Sequence, residues 1–304
     1  LATAGSGNGM TTANLPGMFK RPDSRDYLER EPDPVVDSLA EGIHRITIEQ
    51  QCGLVVEGAD RVVVVDSFGT PGRARVYRRT ISERCDGKPI HFILYTHDHV
   101  DATGYSELIN SEATVVADQR AAGVIENRGL STQRAPDRLL MKSREQLEIG
   151  SFPVELINPG PTHGRGNRAL YFPEQQILFM KDTLRPDARY GLFPDYHLAS
   201  FVSSMRELAT VDFNRFVPGK DETMNPDEFE FACTYIESIM ESAQRAFAEG
   251  VPVWERQAIE EYAIDTLEDR YGRLDGFYDH VGLSGLRVAH HFLMGGWGLE
   301  DCSD

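Results

Sequence analysis

The sequence predicts an α/β protein built from two mixed β-sheets with helices on their outer faces. Three observations carry that prediction. Short runs rich in β-branched residues recur between residues 44 and 219. Several of these runs are separated by helix-length amphipathic stretches, which implies parallel pairing, and others by tight turns, which implies antiparallel pairing. At 304 residues the chain is long enough to bury a sizeable core, as one large domain or two small ones.

Residues 1–36 read as a flexible arm. Within it, residues 1–9 precede Met10 and have the composition of a linker or cloning scar, while residues 11–36 hold several prolines and many charges. Regular structure begins with strands at 44–48, 53–57 and 61–66, and Asp66-Ser67-Phe68-Gly69 follows the third. Pro71 at its start, with Ala74, Val76 and Ile81 on one side, predicts a helix over 71–85. The apolar run 91–95 is a buried strand. Helix 105–110, strand 113–117 and helix 119–127 come next, then strands at 146–149, 154–158, 168–172 and 176–180. Pro173-Glu174-Gln175 makes the last two a hairpin. Leu198, Phe201, Val202, Met205 and Leu208 share a helical stripe that leads into a strand at 215–219.

Two amphipathic helices follow. The first spans 226–250 with Phe229, Cys233, Ile236, Met240, Ala243 and Phe247 on one face. The second, 255–271, repeats the pattern through Ile259, Tyr262, Ala263 and Leu267. The domain reading is therefore an arm at 1–36, a two-sheet domain at 37–225, and a helical appendage at 226–304. That appendage would cover the sheets, shape a pocket or mediate dimerisation.

A net charge of −17 repels phosphate backbones, and no basic cluster reverses it locally, so nucleic acid is excluded as a partner. No apolar run is long enough to cross a bilayer. Cys52, Cys85, Cys233 and Cys302 show no paired spacing, which argues against a zinc ribbon or disulfide framework and for a cytoplasmic protein. Export is the alternative, with Leu1 to Ala4 as the stub of a signal.

The chemistry collects where strand 91–95 ends, at Thr96-His97-Asp98-His99-Val100-Asp101-Ala102-Thr103-Gly104. His97, His99 and Asp101 alternate, so an extended loop would turn all three to one side and form a metal half-site. Thr-His-x-His-x-Asp after a hydrophobic strand resembles the signature loop of the metallo-β-lactamase superfamily, usually His-x-His-x-Asp-His. Ala102 stands where the last histidine belongs. Three later segments match in order. Pro159-Gly160-Pro161-Thr162-His163 resembles the loop that gives the third histidine, and Ile177-Leu178-Phe179-Met180-Lys181-Asp182 the strand ending in the metal-bridging aspartate. Phe216-Val217-Pro218-Gly219-Lys220 resembles the segment normally ending Pro-Gly-His, with lysine in place of histidine. The resemblance spans residues 43–220.

The resemblance implies an αββα sandwich with His97, His99 and His163 as nitrogen ligands and Asp182 as an oxygen ligand, a set that suits one Zn2+ ion. Two ions, or iron, are the alternatives. With Ala102 and Lys220 at two second-ion positions, Lys220 is expected to replace the second cation or else to point to solvent. Asp101 is then free to orient or deprotonate the attacking water, or to act as a ligand. His197, or more remotely His291 of the His290-His291 pair, could restore a lost ligand. Asp66 fits an aspartate that braces the metal loop, and equally a strand-ending turn residue. Arg185, Arg189 and Tyr190 fall where family members place substrate contacts, or in a solvated loop. The implied activity is metal-dependent hydrolysis of a small-molecule ester, lactone, thioester, amide or sulfate. A homodimer is an assembly open to the chain. Two other readings stay open: an iron-binding redox protein of the same fold, and a non-catalytic metal-binding descendant.

Overall fold

The computed structural model describes residues 24–149 and 152–295. Helix α1 (Ser24–Glu29) leads to β1 (Val35–Ala40), which pairs antiparallel with β2 (Ile43–Ile48); β3 (Gln51–Glu57) and β4 (Val62–Val65) continue the meander. Helix α2 (Pro71–Arg84) crosses to β5 (Ile90–Leu94), which lies parallel to β4. Two short helices, α3 (Val100–Thr103) and α4 (Ser106–Asn110), precede β6 (Thr114–Asp118), and α5 (Gln119–Arg128) precedes β7 (Arg138–Leu140); both strands are again parallel to their predecessors. These seven strands form one sheet in chain order.

The second sheet begins with β8 (Arg144–Ile149), β9 (Phe152–Ile157), β10 (Ala169–Phe172) and β11 (Ile177–Phe179), all antiparallel. Helix α6 (Phe201–Leu208) then crosses to β12 (Arg215–Val217), parallel to β11. Helices α7 (Pro226–Ala248), α8 (Arg256–Tyr271) and α9 (Phe277–Arg287) follow, with a π-helical segment at Val288–Leu293.

Side-chain alternation sorts the core into layers. In β4, Val63 and Val65 face the second sheet and join Leu156, Leu170, Phe172 and Phe179, whereas Val62 and Val64 face Val76, Tyr77 and Ile81 of α2. Both faces of this strand are buried, which is why it reads as an unbroken run of valines. The outer face of the second sheet, through Leu178 and Phe216, packs on Met205, Phe229, Ile236 and Ile239 of α6 and α7. The architecture is an αββα sandwich, as expected.

Local signals start the helices where the sequence places them. Thr70 caps α2 by accepting from the Arg73 amide, and Asn225 with Glu228 makes a reciprocal capping box ahead of Pro226 in α7. The core is continuous across residue 226, since Phe229 and Ile236 share one cluster with Leu178 and Phe216.

Some elements carried no signal in the sequence. Strands β1 and β7 sit at the two edges of the first sheet, where alternation is weak. Helix α1 and the first two residues of β1 fall within the stretch expected to be an arm. There Glu29 and Glu31 pair with Arg75 of α2, Glu31 also pairs with Arg79, and the Arg73 guanidinium stacks 4.8 Å from the centre of the Tyr27 ring. The linker reading of residues 1–9, Met10 as a start, and Cys302 lie outside the described residues.

Candidate metal centre

The ends of β4, β5, β9, β11 and β12 meet at one edge of the sandwich, and every motif residue sits in a segment that leaves one of these strands. The loop after β5 is pinned from below by Asp98. Its carbonyl accepts from Arg128 at 2.6 Å and Gln133 at 2.7 Å, and its carboxylate takes a second Arg128 bond at 2.7 Å. The alternation of His97 and His99 holds, but the loop does not stay extended. It turns into α3 at Val100, with the His99 carbonyl accepting from the Ala102 and Thr103 amides. Asp101 therefore stands on a helical turn, not on the histidines' extended row, and faces Lys181.

His163 comes from the loop after β9. That loop is held by the His197 amide donating to the Thr162 carbonyl at 2.7 Å, and by Ser200 Oγ donating to the Pro161 carbonyl at 2.8 Å. The three imidazole rings stand 4.5 to 5.5 Å apart between centres, and one nitrogen from each lies within 4.8 Å of the others. Asp182 Oδ2 is 3.8 Å from His97 Nε2.

Hydrogen bonding fixes the tautomer of His97. The Thr96 amide and hydroxyl both donate to Asp66, at 2.7 and 2.8 Å, so the hydroxyl oxygen accepts from His97 Nδ1 at 2.9 Å. That leaves His97 Nε2 with a bare lone pair towards Asp182. Asp66 thus braces the loop through Thr96, a residue that gave no sign of this role in the sequence. Asp66 and Asp182, each just past a strand end, hold left-handed backbone with φ of 64° and 57°.

A metal ion fits these residues. Burial drives the His97 pKa well below the usual imidazole range, helped by Lys181 and the neighbouring rings. Burial and His99 lower that of His163 against the pull of nearby carboxylates. Both rings are then neutral at neutral pH, as metal ligands must be. His97 Nε2, His163 Nδ1 and Asp182 Oδ2 are buried with no hydrogen-bond partner among the described residues. A bare His97 nitrogen 3.8 Å from a bare Asp182 oxygen would be costly, and a cation favouring nitrogen and oxygen accounts for both.

The second cation position departs from expectation. Lys220 sits at the mouth of the cleft and donates to Gln50. The ammonium among the carboxylates belongs to Lys181, whose Nζ lies 3.8 Å from Asp66, 3.8 Å from Asp182 and 3.9 Å from Asp101. Burial opposes this charge, but Asp182, Asp66 and Asp101 outweigh it and raise its pKa above the ordinary lysine range. The one sequence signal for it was a lysine directly before a metal-side aspartate.

The remaining candidates divide. His197 stays outside the histidine trio, with Nδ1 2.8 Å from Ser200 Oγ. His290 Nε2 lies 2.9 Å from the Val253 carbonyl, and the His291 side chain is outside the described residues. A cleft of about 290 Å³ opens beside the histidines, lined among others by Asp101, His163, Asp182, Arg185, Tyr196 and Lys220. Arg185 is engaged by Asp187 at 2.9 Å and Asp221 at 3.0 Å, and Arg189 by Asp187 and Asp275. The Tyr190 hydroxyl accepts from the Arg185 amide and donates to its carbonyl. All three line the cleft, but their polar groups are already occupied within the chain. Asp195 was not anticipated; its Oδ2 lies 3.8 Å from His99 Nε2.

Comparison with known proteins agrees with this geometry. The beta subunit of 2,4-dinitroanisole O-demethylase from Nocardioides sp. (strain JS1661) is 33% identical over 272 residues, covering 88% of this chain and 85% of that one. The alpha subunit of the same enzyme is 32% identical over 275 residues, covering 90% and 84%. Among solved structures, a metallo-beta-lactamase from Pontibacter korlensis superimposes with a TM-score of 0.58 at 18% identity, over 66% of this chain and 98% of that one. The metallo-beta-lactamase FIM-1 from Pseudomonas aeruginosa, in its mono-zinc form, gives 0.58 at 21%, over 67% and 95%. The sequence profile described as "Metallo-beta-lactamase superfamily" matches residues 48–220, more than half of the chain, and the chain belongs to that superfamily.

Proposed function

We propose that this chain is a metal-dependent hydrolase that cleaves an activated carbon–oxygen bond in a small aromatic ether or ester. The observation that carries the reading is the convergence of three imidazoles, with the bare Asp182 oxygen beside them, next to a cleft that His163 and Asp182 line. At about 290 Å³ that cleft lies at the small end of ligand sites, which run from about 300 to 1,000 Å³. A small-molecule substrate fits it. The two relatives named as 2,4-dinitroanisole O-demethylase subunits support an aryl ether as the bond type.

His97, His99, His163 and Asp182 would hold the ion. A divalent ion bound there would supply a water whose pKa is about 7 and a Lewis acid for the bond being cut. The protein supplies the rest. Asp101 lines the cleft with 42% of its side chain exposed, and it takes the proton of the attacking water. The water oxygen bonds to carbon, the carbon–oxygen bond breaks, and the proton passes to the departing oxygen. Lys220 and Gln50 at the mouth offer N–H donors to a polar substituent on the ring.

The same relatives are named as subunits, so we infer that the working assembly contains a second chain of this family, either another copy or a homologue. Among the described residues no helix is long and apolar enough to cross a membrane.

The test uses the protein in the assembly in which it purifies, loaded with Zn2+ and offered 2,4-dinitroanisole and 4-nitrophenyl acetate while phenolate absorbance is followed. Release that stops on chelation, and falls by about 10³-fold or more in His99→Ala, is the expected result. Failure to turn over either compound, or turnover that survives both treatments, would refute the reading.

A further inference from the structure

Three carboxylates from separate parts of the chain converge on one ammonium. Asp66 follows β4, Asp101 belongs to α3, and Asp182 follows β11; Lys181 Nζ lies between them at 3.8 to 3.9 Å from each. The lysine side chain is only 2% exposed, and its nitrogen has no hydrogen-bond partner among the described residues. Room for its stem is built in. A Cβ at Gly219, whose φ is +100°, would stand 3.3 Å from Lys181 Cγ and 3.4 Å from Cys52 Sγ.

A buried lysine that serves only the fold takes oxygen at hydrogen-bonding distance, because an unsolvated ammonium is otherwise costly. This one takes none. It stands nearly equidistant from three negative groups and balances them without engaging any, as a free cation among ligands would. Beyond the three carboxylates, the two motif positions offer no ligand to a metal ion at that place. Ala102 is buried, and its carbonyl already accepts from the Ser67 amide and hydroxyl. Lys220 is turned to Gln50. Among the described residues the one group of side chains placed to share an ion is the histidine trio.

We propose that the Lys181 ammonium, set among Asp66, Asp101 and Asp182, holds these carboxylates in place of a second metal ion, so that the centre binds a single ion. This rests on the reading of the three histidines as metal ligands. Lys181 does not line the cleft, so it acts through the carboxylates as a positioning residue. The approach of the ammonium draws the Asp101 carboxylate away from a coordination sphere and leaves it free to accept a proton. Removing that charge leaves three carboxylates facing one another, an all-oxygen set that suits a hard divalent cation such as Mn2+.

Equilibrium dialysis against Zn2+, and separately against excess Mn2+, followed by elemental analysis, tests this on the wild type, Lys181→Ala and Lys181→Arg. One ion per chain is expected in the wild type with either metal. Lys181→Ala should gain a second ion in Mn2+, and Lys181→Arg, which keeps the charge, should stay at one. Two ions in the wild type would overturn the proposal whether or not the variants fold. So would a folded Lys181→Ala that keeps its first ion and gains no second. No ion at all in the wild type would instead remove the metal-centre reading, and this inference with it.

Discussion

Two cations lie buried near the same edge of the sandwich, and they are bound in opposite ways. Arg168, 1% exposed, donates to Asp118 with a closest approach of 2.6 Å. Asp118 also accepts from Asn158 at 3.0 Å and from the Arg120 amide at 2.8 Å, and the Arg168 guanidinium reaches the Ser143 carbonyl at 3.3 Å. The Arg168 amide donates to the Thr96 carbonyl, so the pair ties β10 and the second sheet to the loop that carries His97. Lys181 is as deeply buried, has more carboxylates around it, and hydrogen-bonds to none of them. The difference separates two uses of buried charge. A charge whose donors are all satisfied holds the fold together; one held just out of reach of its neighbours sets the electrostatics of a site.

The largest effect on stability should come from breaking the satisfied pair. Asp118→Ala strands the Arg168 guanidinium and removes the N-cap of α5, and should cost about 3–5 kcal/mol in denaturant-unfolding free energy. A loss below about 1 kcal/mol would mean that Arg168 finds other partners and that the comparison fails on its structural side. Lys181→Met keeps the length of the stem and removes the charge. It breaks no hydrogen bond, so it should destabilise less than Asp118→Ala while lowering turnover by about 10²- to 10³-fold, the scale of losing a preorganised charge. Unchanged turnover with a lowered unfolding midpoint would make Lys181 merely structural. The smallest effect belongs to the other lysine. Lys220→Ala loses one bond to Gln50 at the mouth of the cleft and should reduce kcat/KM by less than about tenfold, seen mainly in KM. A drop larger than that of Lys181→Met would return the cation's role to Lys220.

Much of the sandwich was legible from local pattern. The valines of β4 are buried on both faces, and the stripes of α6 and α7 face the second sheet, because side-chain period and burial are set by neighbours along the chain. The three histidines were legible for another reason: motif order along the sequence fixes which strand end each one leaves. Lys181 was not. In sequence a lysine at a strand end reads as solvated, and what makes it otherwise is the arrival of Asp66 and Asp101 from segments 115 and 80 residues away (181 − 66 and 181 − 101). Lys220, with a proline-glycine turn before it, matched the motif by position and is turned to Gln50. Asp101 was assigned to the row of His97 and His99 because alternation in an extended loop would put it there. The capping of α3 by the His99 carbonyl turns the chain before it arrives. The edge strands β1 and β7 have only one neighbouring strand each, so their sequences carry less of the pattern.

A charge encoded in the chain cannot be stripped by a chelator or diluted away. For a centre that needs two ions, loading passes through two equilibria, and the half-loaded form is inactive. If Lys181 stands in for the second ion, as proposed, loading is one equilibrium: activity should follow free metal as a simple hyperbola with a Hill coefficient near 1, and half-saturation should equal the Kd of the histidine trio. Such a centre gives up the option of recruiting a second Lewis acid. In return, its working fraction depends on the first power of metal availability.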